Sequence, residues 1–162
     1  MEVHKKIEDL KTRFLVQLDI DAFKPNELGI TFRGRRRVVF ISGGRFHGPR
    51  LNGAIHPGGG DSGLLRPDGV FEIDSRAILD CDDGAQIYLT YQGLWHAPAA
   101  VMDRLLSRKG GLDLSEFYLA MTCRFETAHP DYLWLNKAIT VGRGMPRMDT
   151  ISGITYQVHE VV

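Results

Sequence analysis

Strict alternation of apolar and polar residues constrains this chain more than any other feature of its sequence. From Phe117 to Glu126, one parity holds Phe117, Leu119, Met121, Cys123 and Phe125. The other holds Tyr118, Ala120, Thr122, Arg124 and Glu126. A period of two sends successive side chains to opposite faces of a strand. The pattern recurs where Phe71, Ile73, Ser75, Ala77 and Leu79 oppose Glu72, Asp74, Arg76, Ile78 and Asp80. It recurs again where Ala85, Ile87, Leu89 and Tyr91 oppose Gln86, Tyr88, Thr90 and Gln92. Phe14 to Ile20 and Leu28 to Phe32 carry shorter versions, and Arg37 to Ser42 is a run rich in β-branched residues.

Turn residues divide these segments. The 18 glycines and 7 prolines fall in clusters between the alternating runs, which is how many short strands are joined by tight turns. Arg66-Pro67-Asp68-Gly69 and Asp82-Asp83-Gly84 place Asp-Gly at hairpin positions, so the flanking strands should be antiparallel neighbours. One internal helix is expected from Pro98, with Val101, Met102, Leu105 and Leu106 at helical spacing and Gly110-Gly111 as its stop. A second short helix is expected at the start, using Ile7, Leu10 and Phe14, and a single turn from Asp131 to Leu135. Nine or ten strands with one or two short helices point to an all-β fold in one domain, residues 1–162. An antiparallel closed barrel is the preferred architecture, because closure removes strand edges; a two-sheet sandwich is the alternative.

Composition excludes several functions. Twenty basic and twenty acidic residues cancel, whereas a nucleic-acid binder needs a basic surplus. The one basic cluster, Arg33 to Arg37, lacks interleaved aromatics and reads as a solvated turn. No apolar run reaches the length of a membrane span, and charges interrupt the N-terminal segment where a signal peptide needs apolar residues. Cys81 and Cys123 fit no metal or redox spacing, so no metal and no cofactor are expected, and the chain reads as cytoplasmic. Arg37 to Ser42 is apolar on both faces, more than a small barrel's own core can cover, so a homodimer is expected.

Three stretches carry a resemblance to a known family: ISGGRFHGPRLNGAIHPGGGD (Ile41 to Asp61), RPDGVFEIDSRAILDCDDGAQIYLTYQG (Arg66 to Gly93) and CRFETAHPDYLWLNKAITVGRG (Cys123 to Gly144). From about Phe14 to Val161 the chain closely resembles the domain of unknown function 3237 family. That resemblance implies a small barrel similar to the calycins, the lipocalin-like ligand binders, and carries no agreed activity. The family usually has a tryptophan after the aspartate of PGGGD, where this chain has Ser62. If that tryptophan covers the barrel mouth, the mouth here is wider.

The candidate site residues follow. Asp61, presented by three glycines, is either a base at the barrel mouth or a turn residue satisfying its own backbone. Asp74 with Arg76, and Arg124 with Glu126, are same-face charge pairs. Either they lie on a solvated outer face, or they point inward and pair, since burying an unpaired ion costs several kcal/mol. Tyr88 is a cavity hydroxyl or a half-buried strand tyrosine. His47, His56 and His96, near strand ends, are acid–base candidates or turn histidines. Trp95, Trp134 and Tyr132 read as core or interface aromatics, or as cavity wall. The expected function is a small-molecule-binding barrel performing cofactor-independent proton transfer (isomerase, cyclase or lyase chemistry) on a small carbonyl or phenolic compound. Asp61 and Glu126 would be catalytic, and Asp74, Arg76, Tyr88 and Arg124 would bind substrate, all converging on one cavity. The alternatives are a non-catalytic binder of an apolar molecule and a filled structural barrel.

Overall fold

Both Asp-Gly turns form, and the wall of the molecule grows outward from them. The first joins β5 (Gly60–Leu65) to β6 (Phe71–Cys81), and the second joins β6 to β7 (Gln86–His96), all antiparallel. The turns are closed by Gly69 N–H donating to the Arg66 carbonyl at 3.0 Å and Gly84 N–H donating to the Cys81 carbonyl at 2.9 Å. Beyond β7 lie β8 (Tyr118–Glu126), β9 (Thr140–Pro146) and β10 (Ile154–Val161), each antiparallel to its neighbour. The computed structural model describes residues 7–162.

The N-terminal strands complete the ring. These are β1 (Thr12–Ala22), β2 (Asn26–Thr31), β3 (Gly34–His47) and β4 (Asn52–Ile55). β3 is the longest strand, and its two halves have different partners. Its first half pairs with β2 and β5, and its second half with β1 and β4. β4 and β5 therefore share one place between β3 and β6, and β1 and β2 share one place against β3. Because β1 also pairs with β10, the wall closes into an antiparallel barrel of eight strand positions.

Inward residues follow the parity of the alternating segments. Phe71, Ile73, Ala77 and Leu79 of β6 are buried, as are Ile87, Leu89, Tyr91 and Trp95 of β7, and Leu119, Met121, Cys123 and Phe125 of β8. One parity break occurs in β1. A register shift between Phe14 and Val16 leaves Leu15 and Val16 both buried and turns Phe14 outward, 37% exposed.

The two halves of the barrel differ. One is filled by Val16, Leu18, Phe46, Leu51, Leu79, Ile87 and Leu89, with Leu135 of a 3-10 helix (Pro130–Lys137) plugging its end. There the buried Glu160 carboxylate accepts from Arg13 and Arg50, both at 2.5 Å, and the Arg50 guanidinium lies 3.9 Å over the Trp134 ring. The other half is capped by helix α1 (Ala99–Leu106), which buries Met102, Leu105 and Leu106. Arg37 of β3 donates to the Leu106 carbonyl at 3.2 Å and ties the cap down. The helix expected from Ile7, Leu10 and Phe14 does not form over the described residues; 7–11 are irregular and Phe14 belongs to β1, because pairing with β10 satisfies its backbone.

The kink that lets β3 change partners lies at Gly43-Gly44, beside a register shift in the β1 pairing. Gly44 has φ of +131°, and a β-carbon there would stand 2.1 Å from the Asp19 carbonyl oxygen of β1. Gly44→Ala should therefore destabilise the fold by at least about 2 kcal/mol, because backbone meets backbone and neither side can yield. Urea unfolding should show a lower midpoint with an unchanged slope.

Candidate functional site

Polar residues interrupt the apolar lining along one row of the capped half. β5 pairs Asp61 with Ser75 of β6, and β6 pairs Ser75 with Tyr91 of β7. These three residues share the inward parity and lie side by side on the inner wall. Gly60 makes this possible: a β-carbon at Gly60 would stand 2.2 Å from the Val39 carbonyl oxygen, so glycine lets β5 press against β3 and present Asp61 inward. Tyr156 of β10 meets Tyr91 edge to face, with ring centroids 5.4 Å apart. Both phenols are buried.

These groups line an internal cavity of about 50 Å³, together with Arg37, Ile41, Phe71, Trp95, Leu106 and Arg108. The Asp61 Oδ1 accepts from the Asp74 backbone N–H at 2.8 Å and from Ser75 Oγ at 3.1 Å. Both donors use Oδ1, so Oδ2 is the oxygen free to take a proton. Those two bonds favour the carboxylate, but desolvation outweighs them and pushes the Asp61 carboxyl up to about 6. Burial holds Tyr91 and Tyr156 far above the ordinary tyrosine range, so both keep their protons. Burial pushes Arg108 down to about 10, with the nearby Arg37 acting in the same direction, which leaves it charged at neutral pH. The cavity thus sets a carboxylate that titrates near neutrality beside phenols that stay protonated, with a cation close by. That is the composition of an acid–base site. Among the described residues, no group of three His, Cys, Asp or Glu side chains could hold a metal ion.

Comparison with known proteins agrees with this architecture. Residues 9–161 match the profile of a family described as protein of unknown function (DUF3237). The chain belongs to the DUF3237 family. It is 29% identical to the UPF0311 protein RPA1785 of Rhodopseudomonas palustris, over 94% of this chain and 97% of that one. The crystal structure of RPA1785, a conserved protein of unknown function, superposes with a TM-score of 0.87 at 26% identity, covering 96% of this chain and 100% of that one. A β-barrel-like protein from Acinetobacter baumannii gives 0.82 at 31% identity, covering 97% and 99%. An enzyme from Penicillium herquei shares the fold at 0.71 with 18% identity, covering 99% and 100%.

In this DUF3237 barrel the expected convergence of five charged residues does not occur. Asp61 alone of them lines the interior. Asp74 and Arg76 of β6 face outward and pair with each other at 2.9 Å, with side chains 43% and 52% exposed. Arg124 and Glu126 are exposed on the outer face of β8, and Tyr88 is 41% exposed on β7. The reason is parity: each is one residue away from a buried apolar neighbour, and a strand cannot turn both inward. Ser62 also faces outward, so its difference from the family tryptophan does not widen the mouth. It lies on an open outer groove of about 900 Å³ that also receives Asp74. That groove is larger than the cavity, but its polar groups are open to water, whereas chemistry on a bound molecule gains from water exclusion. His56 Nδ1 pairs with Asp80 at 2.7 Å outside the barrel, away from the cavity.

Four residues of the cavity are new relative to the sequence reading. Ser75 and Tyr91 lie on apolar parities, so a polar group there had to point inward. Tyr156 alternates with Ile154 and Val158 and carries the same signal. Arg108 follows α1 and carries no periodic signal at all. Arg37, read as part of a solvated turn, lines the cavity instead, because it shares the inward parity of Val39 and Ile41 on β3.

Two outcomes check this assignment. A folded-state value of about 6 lies above the ordinary aspartate value, so the folded protein binds this proton more tightly than the unfolded chain. The contribution of Asp61 to stability therefore falls as pH rises from about 4 to about 6 and stays low above that. Asp61→Asn should raise stability by about 1–2 kcal/mol at pH 8 and leave it nearly unchanged at pH 4; thermal melts at the two pH values measure this. Arg124→Met, on the outer face, should change stability by no more than about 0.5 kcal/mol by denaturant titration.

Proposed function

We propose that this protein binds a small carbonyl or phenolic compound in the capped half of the barrel and moves a proton on it by general acid–base catalysis. The observation that carries this reading is the Asp61 carboxyl, held near neutrality and facing two buried phenols across one cavity. Asp61 Oδ2 takes a proton from a carbon next to a carbonyl. The electron pair left behind moves onto the carbonyl oxygen, forming an enolate. Tyr91 and Tyr156 supply O–H donors to that oxygen, and donors preorganised in a dry site stabilise developing charge strongly. Return of the proton from Asp61 to the far carbon of a conjugated enolate completes an isomerisation; expulsion of a leaving group from the β-carbon, which carries the proton away from Asp61, completes a lyase step. Each outcome uses only groups already in the wall.

Two further features support the wider reading. Cys81 and Cys123 are free and buried, which suits a reducing compartment such as the cytoplasm. Leu28, Ile30, Phe32 and Phe40 are exposed on the β2–β3 hairpin, which supports pairing with a second copy of the chain. Sedimentation should then give the mass of a dimer.

The activity is tested by hydrogen–deuterium exchange at carbon. A panel of small enolisable ketones and phenols is incubated with the protein in D2O and followed by proton NMR. At least one compound should exchange faster with the protein than without it, and the rate should rise with pH through about 6. Asp61→Asn should remove about 100-fold or more of that rate, and Tyr91→Phe about 10- to 100-fold. Exchange that survives Asp61→Asn would overturn the assignment.

A further inference from the structure

Two buried donors in the cavity wall have no acceptor among the protein groups described. One is the indole Nε1–H of Trp95 and the other is the Nε–H of Arg108. Almost every other buried side-chain polar atom here is satisfied, and leaving a buried donor unpaired costs about 1–3 kcal/mol. The two belong together. Both residues line the same cavity, and the Arg108 guanidinium carbon lies 5.7 Å from the centre of the Trp95 ring. Trp95 is 2% exposed, so its N–H has no route to bulk water through its own surface.

Arg108 is built into place. It follows α1 with φ of +56°, and is the non-glycine residue with positive φ among those described. That conformation closes the end of α1, where Arg108 N–H donates to the Leu105 carbonyl at 3.2 Å and Lys109 N–H to the Arg104 carbonyl at 3.0 Å, and it fixes the point from which the Arg108 side chain departs. Its NH1 donates to the Leu105 carbonyl at 2.6 Å and its NH2 to the Gly153 carbonyl at 3.1 Å. Both partners are neutral. Among the described residues no carboxylate pairs with Arg108, whereas Arg37 next to it has Glu27 at 3.5 Å. The cavity therefore holds a guanidinium without a direct carboxylate partner, and its free N–H lines the same wall as a second free N–H.

Resting on the assignment of this cavity as the substrate site, we infer that the substrate is a small organic carboxylate, and that its charged oxygen is seated between Trp95 Nε1–H and Arg108 Nε–H. A carboxylate accepts from two donors at once and neutralises a buried guanidinium. The cavity, about 50 Å³, is smaller than the roughly 150 Å³ of an apolar cavity that encloses benzene, so what fits in it is the oxygen-bearing end of a ligand. Asp61, Tyr91 and Tyr156 line the same cavity, so the carbon next to the seated group is the part of the molecule they face.

The minimal probe is acetate, with acetamide as its neutral isostere, titrated at pH 7 in a buffer free of carboxylates. The readout is the Trp95 indole N–H resonance, assigned by Trp134→Phe. Acetate should move this resonance saturably and bind about tenfold or more tighter than acetamide, a difference of one formal charge at a desolvated donor pair. Arg108→Gln should bring the two ligands to within about threefold of each other. Trp95→Phe, which keeps the ring and its packing, should weaken acetate about three- to tenfold by calorimetry, and it serves if Arg108→Gln fails to fold. Asp61→Asn should bind acetate at least as tightly as the native chain, because it removes the one carboxylate in the cavity. Equal affinity for acetate and acetamide, an unmoved Trp95 resonance, or no saturable binding overturns the carboxylate seat. The two readings fail separately: acetate binding without any exchange activity removes the proposed catalysis and leaves the seat, whereas exchange activity inhibited equally by acetate and acetamide removes the seat and leaves the catalysis.

Discussion

β3 is long enough to run past two sets of partners, and the pairing of its second half with β1 turns an open sheet into a ring. That pairing requires two backbones to approach at Gly44, closer than any side chain would allow. Once the ring is closed, strand parity decides everything inside it. Each strand contributes alternate residues to one interior, and a register error of one residue would exchange the interior for the surface. The close approach at Gly60 has the same character, because it brings Asp61 into the wall beside Ser75. Backbone contact at glycine thus sets both the closure and the placement of the one carboxylate that lines the cavity.

The interior is divided between stability and chemistry. The half plugged by Leu135 is packed with aliphatic side chains, and the ion cluster at its end is satisfied, with Glu160 taking two guanidinium donors. The half capped by α1 holds Asp61, Tyr91, Tyr156 and Arg108, each with its titration displaced by burial. Desolvating those groups works against folding, and the filled half and the continuous hydrogen-bonded wall offset it. Such a division is usual where function needs groups that stability alone would not choose. The cap is attached through side chains of the cavity itself: Arg37 bonds the end of α1, and Arg108 bonds both α1 and the loop before β10. Cap and site are therefore one mechanical unit.

Much of the wall was legible in the chain. The alternation in β6, β7 and β8 and the two Asp-Gly turns specify neighbouring antiparallel strands, and local physics determines both. The same alternation also held the answer for most of the site. Asp74, Arg76, Arg124 and Glu126 sit on the polar parity, while Ser75, Tyr91 and Tyr156 sit on the apolar parity. A charged pair attracts notice, but a polar residue among buried apolar neighbours is the stronger signal of an interior group. Phe14 shows where parity itself fails, because a bulge changes phase without leaving a mark in composition.

By itself, then, the amino-acid sequence determined the strands, their two faces, the hairpins and the glycine-presented aspartate, because each depends on residues within one or two turns of chain. Tertiary structure alone decided the rest. Arg37 has apolar neighbours of both parities, and only closure of the ring makes the face it shares with Val39 and Ile41 the inner one. Arg108 lies in a connection with no period, and it reaches the cavity because α1 folds back over the barrel end. The partnership of Arg108 with Trp95 joins residues that no spacing relates, since a cavity is made by closure, and closure is a property of the whole ring.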